Sequence, residues 1–414
     1  MWHLYTHPRL LLLWPLGLAS GLPLALIAST LAIWLTEAGV DKSTIGLFAL
    51  TGLPYTLKFL WAPWIDHVRL PGLSRWLGRR RSWMVATQIS VMLALLVMGW
   101  IPPDQQPLLT AVAALLTAFC SASQDIVLDA YRIEILQPHQ YGAGAATFVF
   151  GYRLGMLISG AGALYLATSL GWSATYAIMA ATMIIGLIAS WYGPEPPEPP
   201  LQQAGPSMDT MIVQPLRNLI QRSGWVWMVL LILCYKLGDA LAGVMTAPLL
   251  VDLGFSKVEI ANVTKLFGLA ATLLGSMLGG WLVHRSGVVA AMLWCGVAQM
   301  GSNLMFTLLA WTGRDSELLV MTIAIENLTG GMGSAALVAY LSSLCHTAYT
   351  ATQYALLSSL TAFGRTVLAS SAGLLVEWLG WPLFFILTTI AALPGVLILV
   401  VLMRQTPNDH PSVP

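Results

Sequence analysis

Asp125, Asp129 and Arg132 stand at positions i, i+4 and i+7 of an apolar run that begins near Leu108, with Ser121 close to the same stripe. Two carboxylates and a guanidinium on one face of a membrane helix cannot point at lipid. Each costs at least ~2.5–3.5 kcal/mol near the bilayer centre, so they must face a partner, a cavity or water. Carboxylates so placed can take up a proton on one side and release it on the other; the alternative is a static charge network holding neighbouring helices together. Gln124, in the same turn, can bond a solute hydroxyl or amide, or simply another helix.

Further charges interrupt other apolar runs. Arg153 lies about eleven residues into its run, roughly 16 Å along a helix rising ~1.5 Å per residue, and Arg365 holds the equivalent place late in the chain. A guanidinium grips a carboxylate with two hydrogen bonds, so this pair suits an anionic solute. Pairing with Asp125, Asp129 or Glu326 is the equal alternative. Lys236 and Asp239 are three apart and are expected to pair with each other or with the first half of the chain. Glu326-Asn327 occupies the place that Gln124-Asp125 holds earlier. The proton-handling candidates are therefore Asp125, Asp129, Glu326 and Asp239. The solute-binding candidates are Gln124, Arg132, Arg153, Lys236, Asn327 and Arg365. Lys58 and Lys265 sit nearer run ends and are read as snorkelling to the interface.

The elements that position these residues follow from composition. Of 414 residues 57% are hydrophobic and 9% charged, with a mean hydropathy of +0.75, where a soluble chain carries about 25% charged residues. An all-α polytopic membrane protein is the consequence. A net charge of +1 gives no sign of nucleic-acid binding. The four cysteines and seven histidines have no metal-site or disulfide spacing, so neither metal nor cofactor is expected. Runs of about 20 apolar residues number twelve: 9–36, 43–63, 82–101, 108–136, 142–168, 171–192, 225–252, 256–284, 287–311, 316–344, 348–378 and 380–404. A proline-rich interruption at 193–224, expected to be poorly structured, separates a six-helix half at 1–192 from another at 225–414. The N-terminal run is read as a retained span rather than a signal peptide.

Placing the N-terminus in the cytoplasm puts Arg9, Arg69, Arg75, Arg79, Arg80, Arg81, Arg217, Arg222, Arg285 and Arg404 on that side. Only Lys42, Lys257 and Arg314 fall opposite. Both termini and the linker are therefore expected to be cytoplasmic. The halves look like repeats: Gly151-Tyr-Arg153 answers Phe363-Gly-Arg365, and each is followed by Leu-Gly-Trp, at 170–172 and 379–381. Gly39 and Ile45 match Gly254 and Ile260. A duplicated six-helix unit is a transporter plan, with its sites at the repeat interface. The glycines at 142, 144, 151, 155, 275, 279, 330, 331 and 333 read as close-packing surfaces. Most tryptophans, Trp61, Trp64, Trp100 and Trp311 among them, read as interfacial belts.

Asp66, followed by Gly78-Arg79-Arg80-Arg81, resembles the cytoplasmic signature of the major facilitator superfamily, with about eight extra residues before the arginines. Within it, the chain resembles the AmpG-type permeases over nearly its whole length. The resembling stretches are Ala19–Ala25, Lys58–Pro63, Ser121–Asp129, Gly142–Ala146, Gly151–Arg153 and Tyr349–Ser359. The resemblance implies two pseudo-symmetric six-helix halves and a monomeric inner-membrane importer driven by the proton gradient. The implied cargo is anhydromuropeptide, N-acetylglucosamine joined to anhydro-N-acetylmuramic acid with or without peptide, serving cell-wall recycling and β-lactamase induction. It further implies that Asp66, Arg79 and Arg80 form a cytoplasmic gate, the Asp facing a neighbouring helix N-terminus; positive-inside topology alone also accounts for three consecutive arginines. The alternative cargo is an iron–siderophore complex, which predicts a more aromatic, less charged cavity. An intramembrane enzyme is disfavoured, since no GxSxG, HExxH or paired-aspartate signature occurs, and a channel is disfavoured because charges midway in both halves and the pseudo-repeat favour alternating access.

Overall fold

The computed structural model describes residues 5–197, 209–222, 224–256, 259–260 and 262–405. Lys257 and linker residues 198–208 lie outside the described residues, as do the side chains of Lys42, Lys265 and Arg404. Among the described residues, ten helices are long and apolar enough to cross a membrane. They are α1 (Pro8–Glu37), α3 (Arg79–Trp100), α4 (Pro107–Ile135), α5 (Pro138–Leu170), α6 (Trp172–Tyr192), α7 (Trp225–Asp252), α8 (Asn262–Ser286), α9 (Val288–Thr312), α10 (Ser316–Ser343) and α12 (Trp381–Met403).

The other two expected crossings are interrupted. The second, α2, is a series of short turns from Lys42–Leu47 through Phe48–Gly52, Leu53–Leu57 and Lys58–Leu60 to Ala62–His67. Gly52, Pro54 and Pro63 punctuate it, each weakening or preventing a continuous hydrogen-bond ladder. The eleventh, α11, is Thr350–Ala369 followed by Ala372–Leu379, broken at Ser370-Ser371. Nor is the linker featureless. Asp209–Val213 and Gln214–Ile220 are helical, with Pro215 in the first turn of the latter, where a missing N–H costs nothing.

Two compact units emerge. One comprises Met1–Pro138, Thr147–Leu219 and Leu344–Ser359; the other comprises His139–Ala146, Ile220–Ser343 and Leu360–Pro414. In the first unit α1 and α5 touch backbone to backbone. A Cβ on Gly21 would stand 2.1 Å from the Tyr152 carbonyl oxygen, and one on Gly151 would stand 2.1 Å from that of Trp14. In the second unit α8 and α10 meet the same way, through Gly275 against Leu328 and Gly331 against Thr272. Small residues at such crossings let dispersion replace the hydrophobic drive that lipid removes.

The repeat suggested by Leu-Gly-Trp is visible inside each unit. Gly171 (φ 78°) turns α5 into α6, and the Trp172 indole donates to Glu37 at the end of α1 (2.9 Å). Gly380 (φ 71°) turns α11 into α12, and the Trp381 indole donates to Asp252 at the end of α7 (3.0 Å). Left-handed backbone at a helix end is what glycine permits. Trp64, Trp100 and Trp311 are exposed, whereas the Trp61 indole is half-buried and donates to Ser123.

Candidate functional site

In the first unit α4 carries a polar seam. Asp125 accepts a hydrogen bond from the Ser20 hydroxyl of α1 (2.6 Å). Among the described residues it makes no ion pair. Asp129, one turn on, is held by Arg132 (3.2 Å) and Lys58 (3.7 Å). Lys58 is thus 8% exposed and ion-paired inside the unit, which corrects the expectation that it snorkels. A turn of α2 brings it there, a placement that no periodicity in the broken α2 could convey. Arg132 is fully buried, its guanidinium 5.6 Å from the Phe148 ring centre and 5.2 Å from that of Tyr354. Cation–π contacts and one carboxylate thereby offset its desolvation. Gln124 is also fully buried, and neither amide atom has a hydrogen-bond partner among the described residues. Arg153 is half-buried and makes no ion pair among those residues.

At the end of α2 a second cluster forms around Asp66, which is fully buried. One oxygen accepts from the Thr352 N–H and hydroxyl, both at 2.7 Å; the other accepts from the Ala351 N–H (3.2 Å) and Arg80 (2.5 Å). Asp66 therefore sits at the N-terminus of α11, where orphan N–H groups and the helix dipole favour an anion. Arg80 also pairs with Glu134 (2.5 Å), which accepts from the Thr350 hydroxyl; Arg79 donates to the Asp66 carbonyl (2.9 Å) and reaches Glu134 (3.5 Å). Burial alone would raise the Asp66 carboxyl, but Arg80, the Thr352 hydroxyl and Arg79 outweigh it and hold it below the ordinary carboxylate value. Sequence reasoning missed Glu134. Its only signal was a further charge beyond Arg132, near the end of the same run.

The second unit has its own set. Lys236 pairs with Asp239 (2.9 Å) and donates to Gln299 (3.0 Å) and the Gly330 carbonyl (3.3 Å). The structure thus brings the two α7 charges to each other. A Cβ on Gly333 would stand 3.2 Å from the Lys236 amine and 2.7 Å from Gln299, so this glycine makes room for the cluster. Asn327 donates to Glu326 (2.7 Å) and accepts from Thr272 of α8 (2.9 Å). Arg365 is exposed and makes no ion pair among the described residues; with Asp239, Met245 and Ser370 it lines a cavity of about 650 Å³. A guanidinium with no ion pair among the described residues and a carboxylate shared with Lys236, lining one cavity, can meet a solute that bears both negative charge and hydrogen-bond donors.

The description "Major Facilitator Superfamily" fits residues 13–237 and 228–414 of this chain. The chain is 43% identical over 406 residues to the anhydromuropeptide permease of Escherichia coli K12, covering 97% of itself and 81% of that protein. It is 38% identical over 407 residues to the protein named AmpG 4 of Rickettsia conorii, with 96% and 97% covered. Among solved structures, the proton:xylose symporter XylE superposes with a TM-score of 0.70 at 13% identity, over 96% of this chain and 95% of that one. A bacterial homologue of the iron transporter ferroportin gives 0.65 at 17%, over 95% and 98%. At those identities the likeness is one of fold alone. Sequence and fold agree that this multi-pass membrane chain is a transporter, not an enzyme, and belongs to the AmpG-type permeases of the major facilitator superfamily.

Proposed function

We propose that the chain imports anhydromuropeptides across the bacterial inner membrane in symport with protons, feeding cell-wall recycling and β-lactamase induction. The observation that carries the coupling is Asp125. It is a carboxyl in a membrane helix bonded to a neutral hydroxyl with no ion-pair partner among the described residues, while Asp129 pairs with two cations and Asp239 with one. A carboxyl that is not clamped in a direct ion pair can lose its charge inside a bilayer at less cost than a paired one, and so can carry a proton. The cargo assignment is supported by the named relative together with two guanidiniums that make no ion pair among the described residues, Arg153 and Arg365, which suit the lactyl and peptide carboxylates of a muropeptide. These charges disfavour the siderophore alternative, whose cavity is expected to be aromatic.

The working arrangement is a monomer of two halves, 1–192 and 225–414, joined by a linker at 193–224, with both termini cytoplasmic. Asp66, Arg79 and Arg80 act as its cytoplasmic gate. The test is Asp125→Asn in proteoliposomes. Uphill accumulation of labelled anhydromuropeptide disappears while counterflow exchange survives; full uphill accumulation by this variant removes Asp125 from the coupling.

A further inference from the structure

We infer that the first residues of the central linker are a working part of the Asp66–Arg80 latch, with Glu195 as the positioning residue that holds the start of α3 in place. The inference rests on the proposal that this latch is a gate of the transport cycle. One Glu195 oxygen accepts from the backbone N–H of Arg80 (2.7 Å) and the other from that of Arg81 (3.0 Å). These are orphan donors in the first turn of a 22-residue helix, so a carboxylate from 114 residues away caps it. The guanidinium of that same Arg80 bridges Asp66 and Glu134.

The corner is shaped for this carboxylate. A Cβ on Gly78 would stand 2.5–2.8 Å from Cδ, Cγ and Oε1 of Glu195, and Gly78 has φ +84°. Tyr131 of α4, fully buried, donates its hydroxyl to the Pro194 carbonyl (2.9 Å). Arg81 donates to the carbonyls of Ser190 (3.3 Å) and Trp191. Pro194, Pro196 and Pro197 flank Glu195 and stiffen the segment that presents it.

The other described end of the linker is tied to the opposite side of the same latch. Gln353, next to Thr352, donates to the Pro215 carbonyl and to Asn218, both at 3.1 Å, and the Tyr349 hydroxyl donates to Gln214 (2.8 Å). The linker therefore grips α3 at its entry and residues 344–359 at its exit, and those are the two parties that Asp66 joins. Each described end of the linker thus braces one party of the latch, Glu195 by capping the helix that carries Arg80 and Gln214–Asn218 by holding Tyr349 and Gln353.

Hydrogen–deuterium exchange on the full-length protein reads this opening without any cargo. Glu195→Ala is expected to speed exchange of the 344–359 amides about tenfold, as Asp66→Asn does, with Glu195→Gln between them because it keeps one acceptor oxygen. Tyr131→Phe acts in the same direction, and combined with Glu195→Ala adds little, the signature of two groups serving one contact. Faster exchange confined to 190–197 in Glu195→Ala overturns the inference, because Glu195 then anchors only its own segment. If Glu195→Ala does not fold, Glu195→Gln decides on the same two segments. Uptake by the same variants tests the underlying proposal separately. Exchange that quickens at 344–359 while uptake stays unchanged contradicts the gate but leaves the clasp.

Discussion

At the scale of single residues, the charges divide into those with an ionic partner and those without. Arg80, Asp66 and Glu134 are mutually satisfied and buried, so removing one member strands the others. Truncating one partner of such a set costs about 3–5 kcal/mol, far more than the pair's net worth relative to apolar residues. The acid response of Asp66 has a definite sign. Its folded pKa lies below the ordinary carboxylate value, so its stabilisation is fully present above the unfolded value and is lost as pH falls through the folded one. Thermal unfolding of wild type should therefore keep the Asp66 contribution at every pH above about 4 and shed it only in stronger acid. Asp66→Asn should start lower and show a shallower acid limb; an unchanged limb counts against Asp66 as the group concerned. The unpaired guanidiniums behave differently. Arg365→Gln should leave folding intact and raise the half-saturating concentration of an anionic muropeptide at least about tenfold, the scale of one charge-assisted hydrogen bond. Unaltered affinity in a transport assay removes Arg365 from the cargo site.

At the scale of elements, the helices were legible because a membrane leaves few options: backbone groups must be satisfied within each span, so apolar length predicts helix. The Asp125–Asp129–Arg132 stripe was legible for the same reason, since period alone places those side chains on one face. What each charge meets was not legible. Lys58, for instance, reaches Asp129 only because α2 is broken into short turns around Gly52, Pro54 and Pro63, whose combined bend no pattern specifies. Glu195 was hidden too, since a proline-rich stretch reads as linker whether or not its carboxylate caps a distant helix. The close-packing role of glycines could be read from their spacing, and Gly151 makes it testable. Its Cβ would meet a main-chain carbonyl, which cannot rotate away as a side chain can. Gly151→Ala should therefore destabilise by about 1–3 kcal/mol or more, read as a lowered melting temperature in detergent. A melting temperature equal to wild type means that α1 and α5 separate more easily than this packing implies.

At the scale of the whole molecule, the repeat seen as Leu-Gly-Trp in the sequence returns as two like arrangements, Glu37 with Trp172 and Asp252 with Trp381. The units are not chemically equivalent, however. The first holds Asp125, which makes no ion pair among the described residues, and the ion-paired latch; the second holds Lys236 with Asp239 and the cavity bearing Arg365. Such a division suits a transporter in which one half manages the proton and both offer charge to the cargo. The most direct measurement of that account is uptake of labelled anhydromuropeptide by vesicles carrying this protein, with and without an imposed proton gradient, beside a panel of iron–siderophore complexes. The account predicts accumulation of the muropeptide that rises with the gradient and collapses with an uncoupler, and none of the iron complexes. Muropeptide entry that only equilibrates and ignores the gradient, or accumulation of an iron complex in its place, would contradict it.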